Sequence, residues 1–82
     1  MSDAYVGGIK HLYRDDARFW AQVDVMHAAR PDLSRDKHAE NLARMRAQVV
    51  AERTPPERVF EIVTEKFGYA MQLVDLDWLT RP

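Results

Sequence analysis

Histidines and aspartates spaced along the chain are the residues with the clearest chemical potential. His11 and Asp15, and further on Asp24 and His27, lie three or four residues apart, which puts each pair on one helix face. The third histidine, His38, belongs to another segment, and the chain has no cysteine to supply a thiolate. Because such spacing without a complete ligand set is common in helices, we predict no bound metal and no cofactor.

The sequence lacks the residues that hydrolytic catalysis needs. The only serines are Ser2, near the start of the chain, and Ser34, which stands where a helix cap is expected. The carboxylate pairs Asp15–Asp16 and Asp75–Asp77 could act as acid and base, but exposed carboxylates keep pKa values unsuited to that task. We therefore predict a non-enzymatic protein, and rank a small metal-dependent enzyme third among the possible functions.

Size and composition predict one globular domain over residues 1–82. The chain has 82 residues, 46% of them hydrophobic and 30% charged, a balance that supports a single core at this length. A net charge of −1 provides no general attraction to nucleic acid or anionic lipid. Because cysteine is absent, the chain opens on an acid and no apolar run approaches about 18 residues, we expect a cytoplasmic protein that does not bind membranes.

The first predicted helix has two possible beginnings. Large apolar side chains recur at steps of three, four and seven between Tyr5 and Met26, which is the rhythm of a helix face. Two adjacent glycines weaken its first turns, so the helix begins either at Tyr5 or near Asp15 and Asp16, whose carboxylates favour a first turn. Pro31 ends it, because proline disfavours helical conformation in the residue before it.

The second predicted helix begins at Ser34 and runs to about Arg53. The Ser34 hydroxyl can accept a hydrogen bond from an unpaired amide of the first turn, and Asp32 is the alternative cap. Leu42 and Met45 belong to its apolar face, which repeats at helical steps. The helix is amphipathic and needs a neighbour to be stable.

Thr54 to Glu57 have the pattern of a capping box, with threonine as N-cap and Pro55 as the first helical residue. We predict a third helix from this cap to Gly68, where a left-handed residue is expected. Residues 69–79 keep helical spacing and are predicted to form a fourth, short helix, although alternation in the same segment also permits a strand.

The segment around Gly68 resembles the core of a helix-turn-helix. The matching positions are residues 61–69, Val74, Trp78 and Leu79. The resemblance implies that the helix after Gly68 enters the DNA major groove. That helix has no cation before Arg81, so we expect no DNA binding through it. A helix-turn-helix-like regulator that uses its basic second helix on the phosphates is retained as the alternative function.

Large apolar residues outside the core stripes predict a surface for a partner. If residues 69–79 form one helix with Tyr69 and Leu73 inward, then steps of three and four place Met71, Val74 and Trp78 together on a neighbouring face. Tryptophan is enriched at binding hot spots. We predict that these three residues and Trp20 bind a partner, with Trp78 as the main anchor. The alternative is that Trp20 and Trp78 pack together in the core.

The fold class that follows is all-α, an antiparallel bundle of three main helices plus a short C-terminal helix. The predicted function is a small protein-protein interaction module, either a homodimer or an accessory or regulatory subunit. Asp75 and Asp77 are expected at the rim of the partner surface, where they would favour basic partners.

Overall fold

The computed structural model describes residues 12–81, most of which are helical. In chain order the elements are α1 (Ala17–Ala29), α2 (Arg35–Glu52), α3 (Pro56–Phe60), a π-helical segment (Glu61–Lys66), a 3-10 turn (Met71–Leu73) and α4 (Leu76–Thr80). Residues 12–81 contain no strand. The all-α prediction is therefore confirmed for this part of the chain, and the strand alternative for residues 69–79 is excluded.

Asp16 begins α1. Its backbone is extended, and its Oδ1 accepts hydrogen bonds from the amides of Arg18 at 3.0 Å and Phe19 at 3.1 Å. These amides have no acceptor within the helix, so the carboxylate stabilises the first turn. The predicted beginning near Asp15 and Asp16 is confirmed, whereas a beginning at Tyr5 lies outside the described residues.

Ser34 caps α2 as predicted, because its hydroxyl accepts a hydrogen bond from the Lys37 amide at 3.1 Å. Asp32, the alternative cap, instead forms an ion pair with Arg30 at 3.1 Å. At the other end the helix stops at Glu52, and Arg53 takes a left-handed conformation with φ 51°. The chain thereby turns sharply towards α3.

The predicted capping box at Thr54 does not form. Helix α3 begins at Pro56, Pro55 occupies the N-cap position with φ −68° and ψ 152°, and no side chain caps the helix. Pro56 is the cause, since a proline drives the residue before it into extended conformation. The prediction placed the helix start one residue too early.

Beyond Phe60 the helix widens into the π-helical segment. The Phe67 amide donates to the Ile62 carbonyl, five residues back, at 3.0 Å. The Thr64 hydroxyl donates to the Phe60 carbonyl at 2.6 Å, and this bond competes for the oxygen that an α-helical amide would use. The Thr64 hydroxyl bond thus lies where the chain changes from α-helix to π-helix.

Residues 69–79 form two short helical elements, so the prediction of one helix is wrong. Gly68 ends the preceding helix with φ 78°, as predicted. Asp75 is extended and begins α4, where its side chain accepts a hydrogen bond from the Trp78 amide at 3.2 Å. Its own amide donates to Gln22 Oε1 on α1 at 2.8 Å. The single second helix implied by the helix-turn-helix resemblance is not formed.

One apolar cluster connects the elements. It is built mainly between α1 and α2, with α3, the π-helical segment and α4 closing its sides. Its buried members are Phe19, Val23, Met26, Ala39, Leu42, Ala43, Met45, Val49, Val59, Ile62, Val63, Tyr69, Val74, Trp78 and Leu79. Burial of these side chains supplies the main driving force for helices that are short individually.

Candidate functional site

Trp78, the predicted anchor of the partner surface, lies in the core. Its side chain packs edge-on against Tyr13, with 5.4 Å between ring centroids, and against Phe19 at 5.8 Å. The indole Nε1 donates to Asp16 Oδ2 at 2.8 Å. Only 5% of the residue is exposed, so nearly all of its surface is buried within the folded chain.

Trp20 is half-buried and is separated from Trp78 by Phe19. Its ring meets Phe19 edge-on, with 5.0 Å between centroids, and Phe19 also contacts Trp78. Its Nε1 donates to the carbonyls of Tyr13 and Arg14 at 3.0 and 3.1 Å. The two tryptophans therefore share a contact residue rather than stacking on each other.

Met71 and Val74 complete the predicted partner surface, but no single exposed patch joins them to the tryptophans. Val74 is buried in the link between the 3-10 turn and α4, while Met71 is partly buried in the turn itself. Val74 also lines a shallow cavity of about 260 Å³ against α1, beside Val25. The predicted face required one continuous helix, and that helix is not formed. Partner binding by these residues stays a prediction.

The acids expected at a polar rim form ion pairs within the chain. Arg18 contacts Asp75 through two guanidinium nitrogens and lies 3.5 Å from Asp77. Arg81 pairs with Asp77 at 2.8 Å. Hydrogen bonds from Arg18 and from the Trp78 amide hold the pKa of Asp75 below its ordinary value. These carboxylates are already neutralised by cations of the same chain.

A buried polar cluster joins α2 to the turn at Gly68. The His38 Nε2 lies 2.8 Å from the Arg30 carbonyl, which can only accept, so Nε2 carries the hydrogen. In the tautomer with its hydrogen on Nε2, Nδ1 accepts from the Tyr69 hydroxyl at 2.7 Å, and the Asn41 amide donates to that hydroxyl at 3.0 Å. Burial raises the pKa of Tyr69, which keeps the phenol protonated. Both ring nitrogens of His38 are occupied by structural hydrogen bonds.

His27 lies beside this cluster, with 5.6 Å between its ring centroid and that of His38. Its Nδ1 is buried and has no hydrogen-bond partner within residues 12–81. Asp24, the nearest candidate ligand by spacing, is bound to Arg35 at 2.7 Å. No three histidine, aspartate or glutamate residues of the described part of the chain converge as metal ligands. His11 lies outside the described residues.

Two cavities with mainly apolar linings share Val50 beside the carboxyl half of α2, and together they are here named the α2 groove. Its larger part has a volume of about 740 Å³ and is lined by Val49, Val50, Arg53, Thr54, Pro55, Pro56 and Thr80. Its smaller part has a volume of about 440 Å³ and is lined by Leu12, Tyr13, Arg46, Ala47, Val50 and Ala51. Val50 lines both parts.

The α2 groove combines exposed apolar side chains with cations. Val50 is 40% exposed and Leu12 is 78% exposed. The charged residues that line it are Arg46 and Arg53, and no carboxylate lines either part. Arg46 donates to the Arg81 carbonyl at 2.8 Å, whereas the Arg53 side chain makes no hydrogen bond or ion pair with the described residues. The groove thus combines apolar side chains with two arginines.

Sequence reasoning missed this surface, although part of its signal is local. Val50 and Ala51 lie three and four residues after Ala47, on one face of α2 beside its core stripe. Pro55 and Pro56 follow the helix after Arg53 and Thr54 and continue the apolar character. Thr80, from the far end of the chain, had no such signal, because only folding brings α4 beside α2.

Comparison of the chain with known protein families, with characterised proteins and with solved structures finds no match. No helix between residues 12 and 81 has both the length and the apolar composition needed to cross a bilayer. The residues and their geometry are therefore the basis for assigning a function.

Proposed function

We propose that this protein is a non-enzymatic protein-protein interaction module, a homodimer or an accessory or regulatory subunit, whose α2 groove receives an apolar surface of the partner. The observation that carries the proposal is the groove itself, which keeps Val50 and Leu12 in water. Contiguous exposed apolar surface on a small protein usually marks an interaction site.

The groove is also well organised for binding before a partner arrives. Pro55 and Pro56 form one wall, and their fixed φ angles reduce the entropy lost when a partner orders that wall. Val50 lies on the long helix α2, where a β-branched side chain has few allowed rotamers. Burying such a side chain contributes about 25 cal/mol per Å² of apolar area removed from water.

The chemistry of the groove favours an apolar partner over a reacting substrate. Its polar side chains are Arg53, Thr54 and Thr80 in the larger part, a set without a general base. Elsewhere, Asp75 is engaged in ion pairs and His38 in buried hydrogen bonds. These occupied groups support a binding function.

The scaffold that we infer is a single antiparallel bundle of the three longer helical stretches, with α4 packed across it. The connections at residues 30–34 and 53–55 are short, and short loops make successive helices neighbours. On this arrangement the groove lies along one outer edge of α2.

A pair of matched valines tests the proposal. Val50, inside the groove, and Val25, on α1, are similarly exposed at 40% and 48%. We expect Val50→Glu to abolish the complex formed by the full-length protein in its native cells, because a carboxylate would have to be buried in an apolar contact. Val25→Glu should leave that complex intact.

Complexes recovered on the tagged chain are quantified by mass spectrometry. They are then reconstituted from purified components, and their binding affinity is measured by calorimetry. Selective loss with Val50→Glu in both assays supports the proposal, whether the partner is a second copy or another protein. Equal recovery with both variants, or no complex with the wild type, would remove the groove as a binding site.

A further inference from the structure

We infer that the occupant of the α2 groove is a second copy of this chain, with Phe60 of each copy inserted into the groove of the other. The inference rests on the proposed function of the groove and adds the identity of the partner. It follows from a protruding apolar side chain, a pair of complementary charges and the position of both beside the groove.

Phe60 is the apolar side chain that would be inserted. It is 43% exposed at the end of α3, although phenylalanine gains more than most residues from burial. Phe60 lies one helical turn after Pro56, which lines the groove, so the two are neighbours on the helix surface. A groove and a projecting ring therefore lie side by side on the same part of the molecule.

Two charges match this arrangement. Arg53 lines the groove, and Glu57 lies three residues before Phe60 on α3, where side chains share a face. Neither side chain forms an ion pair among residues 12–81. When Phe60 of one copy enters the groove of the other, Glu57 is carried towards the partner's arginine.

Two-fold symmetry makes the contact self-complementary. In a closed dimer each contact of one copy is repeated by the other, so two rings are inserted and two Glu57 to Arg53 pairs form. A net charge of −1 per chain produces little repulsion between copies. Dimerisation also buries additional surface, which stabilises a chain of 82 residues because a domain of this size has a small core.

Sedimentation velocity of the full-length protein, up to millimolar concentration, measures this dimer. Phe60→Ala should weaken it by about a hundredfold or more, because symmetry removes a central aromatic contact twice. Arg53→Glu or Glu57→Arg alone should weaken it by about tenfold, since each reversal places like charges together at two positions. The double reversal should restore most of the wild-type affinity.

Glu65→Arg is the matched control, because Glu65 is exposed, has no ion pair among the described residues and lies outside the groove. Circular dichroism melts verify that every variant is folded. A wild type that stays monomeric at millimolar concentration overturns the inference, as does a dimer that ignores the charge reversals. If Val50→Glu still removes a different protein partner, the inference fails while the proposed function of the groove stands.

Discussion

Removal of the Asp16 carboxylate should destabilise both ends of the described chain at once. One oxygen of Asp16 caps α1 and the other accepts from Trp78 Nε1 at 2.8 Å, although the two residues are 62 positions apart. Loss of an N-cap costs about 1 kcal/mol. Loss of a hydrogen bond to a charged group, which also leaves a buried indole N–H unpaired, costs about 1.5–3 kcal/mol. We therefore expect Asp16→Ala to cost about 3 kcal/mol in total.

Urea denaturation of the wild type, Asp16→Ala, Trp78→Phe and the double variant separates the two contributions. With phenylalanine at position 78 there is no indole donor, so Asp16→Ala should then cost only the cap, about 1 kcal/mol. In thermal melts the single Asp16→Ala variant should lose about 15 °C in Tm. A total cost below about 0.5 kcal/mol, or the same cost in both backgrounds, would refute the tie between α1 and α4.

The effect of Asp16 should also depend on pH. Burial tends to raise the pKa of this carboxyl, but hydrogen bonds from Trp78 and from the amides of Phe19 and Arg18 outweigh it, so the pKa lies below its ordinary value of 3.8. A lowered pKa in the folded state means that the stabilisation is present above pH 3.8 and is lost as the pH falls through the folded value. The stability difference between wild type and Asp16→Ala should accordingly shrink below pH 3.8.

Three further substitutions, the first with Tyr13→Phe as its control, test individual contacts and turns by urea denaturation. Tyr69→Phe should cost about 1–3 kcal/mol, because it leaves the buried Nδ1 of His38 unpaired. Tyr13→Phe should be nearly neutral, because the Tyr13 hydroxyl has no hydrogen bond within residues 12–81. Equal effects of the two substitutions would contradict the hydrogen bond between Tyr69 and His38. Gly68→Ala should cost about 1 kcal/mol through its φ of 78°, and an unchanged midpoint would argue against the left-handed turn. Arg53→Gly should stabilise the fold by about 0.5–1 kcal/mol, because glycine adopts the left-handed φ of 51° without steric strain, and it should weaken self-association. A destabilised variant would contradict the left-handed conformation of Arg53.

Helix boundaries were predictable where a residue and its partner lie within one turn. Ser34 caps α2 and Gly68 ends the π-helical segment as their types indicate, because capping depends on atoms a few positions away. Thr54 was mispredicted for an equally local reason. The effect of Pro56 on Pro55 is stronger than the threonine pattern, and it could have been recognised from the two adjacent prolines.

The sequence by itself determined that residues 12–81 are mainly helical and that Ser34 begins α2, while tertiary contacts decided the structure of residues 69–79 and the binding surface. Elements as short as the 3-10 turn and α4 are not stable alone, so contacts from α1 select their conformation. Gln22 holds the amide of Asp75, and Asp16 holds the indole of Trp78 in the core. Folding likewise completes the α2 groove, because it brings Thr80 of α4 and Tyr13 beside α2, and no local spacing connects these residues to Val50.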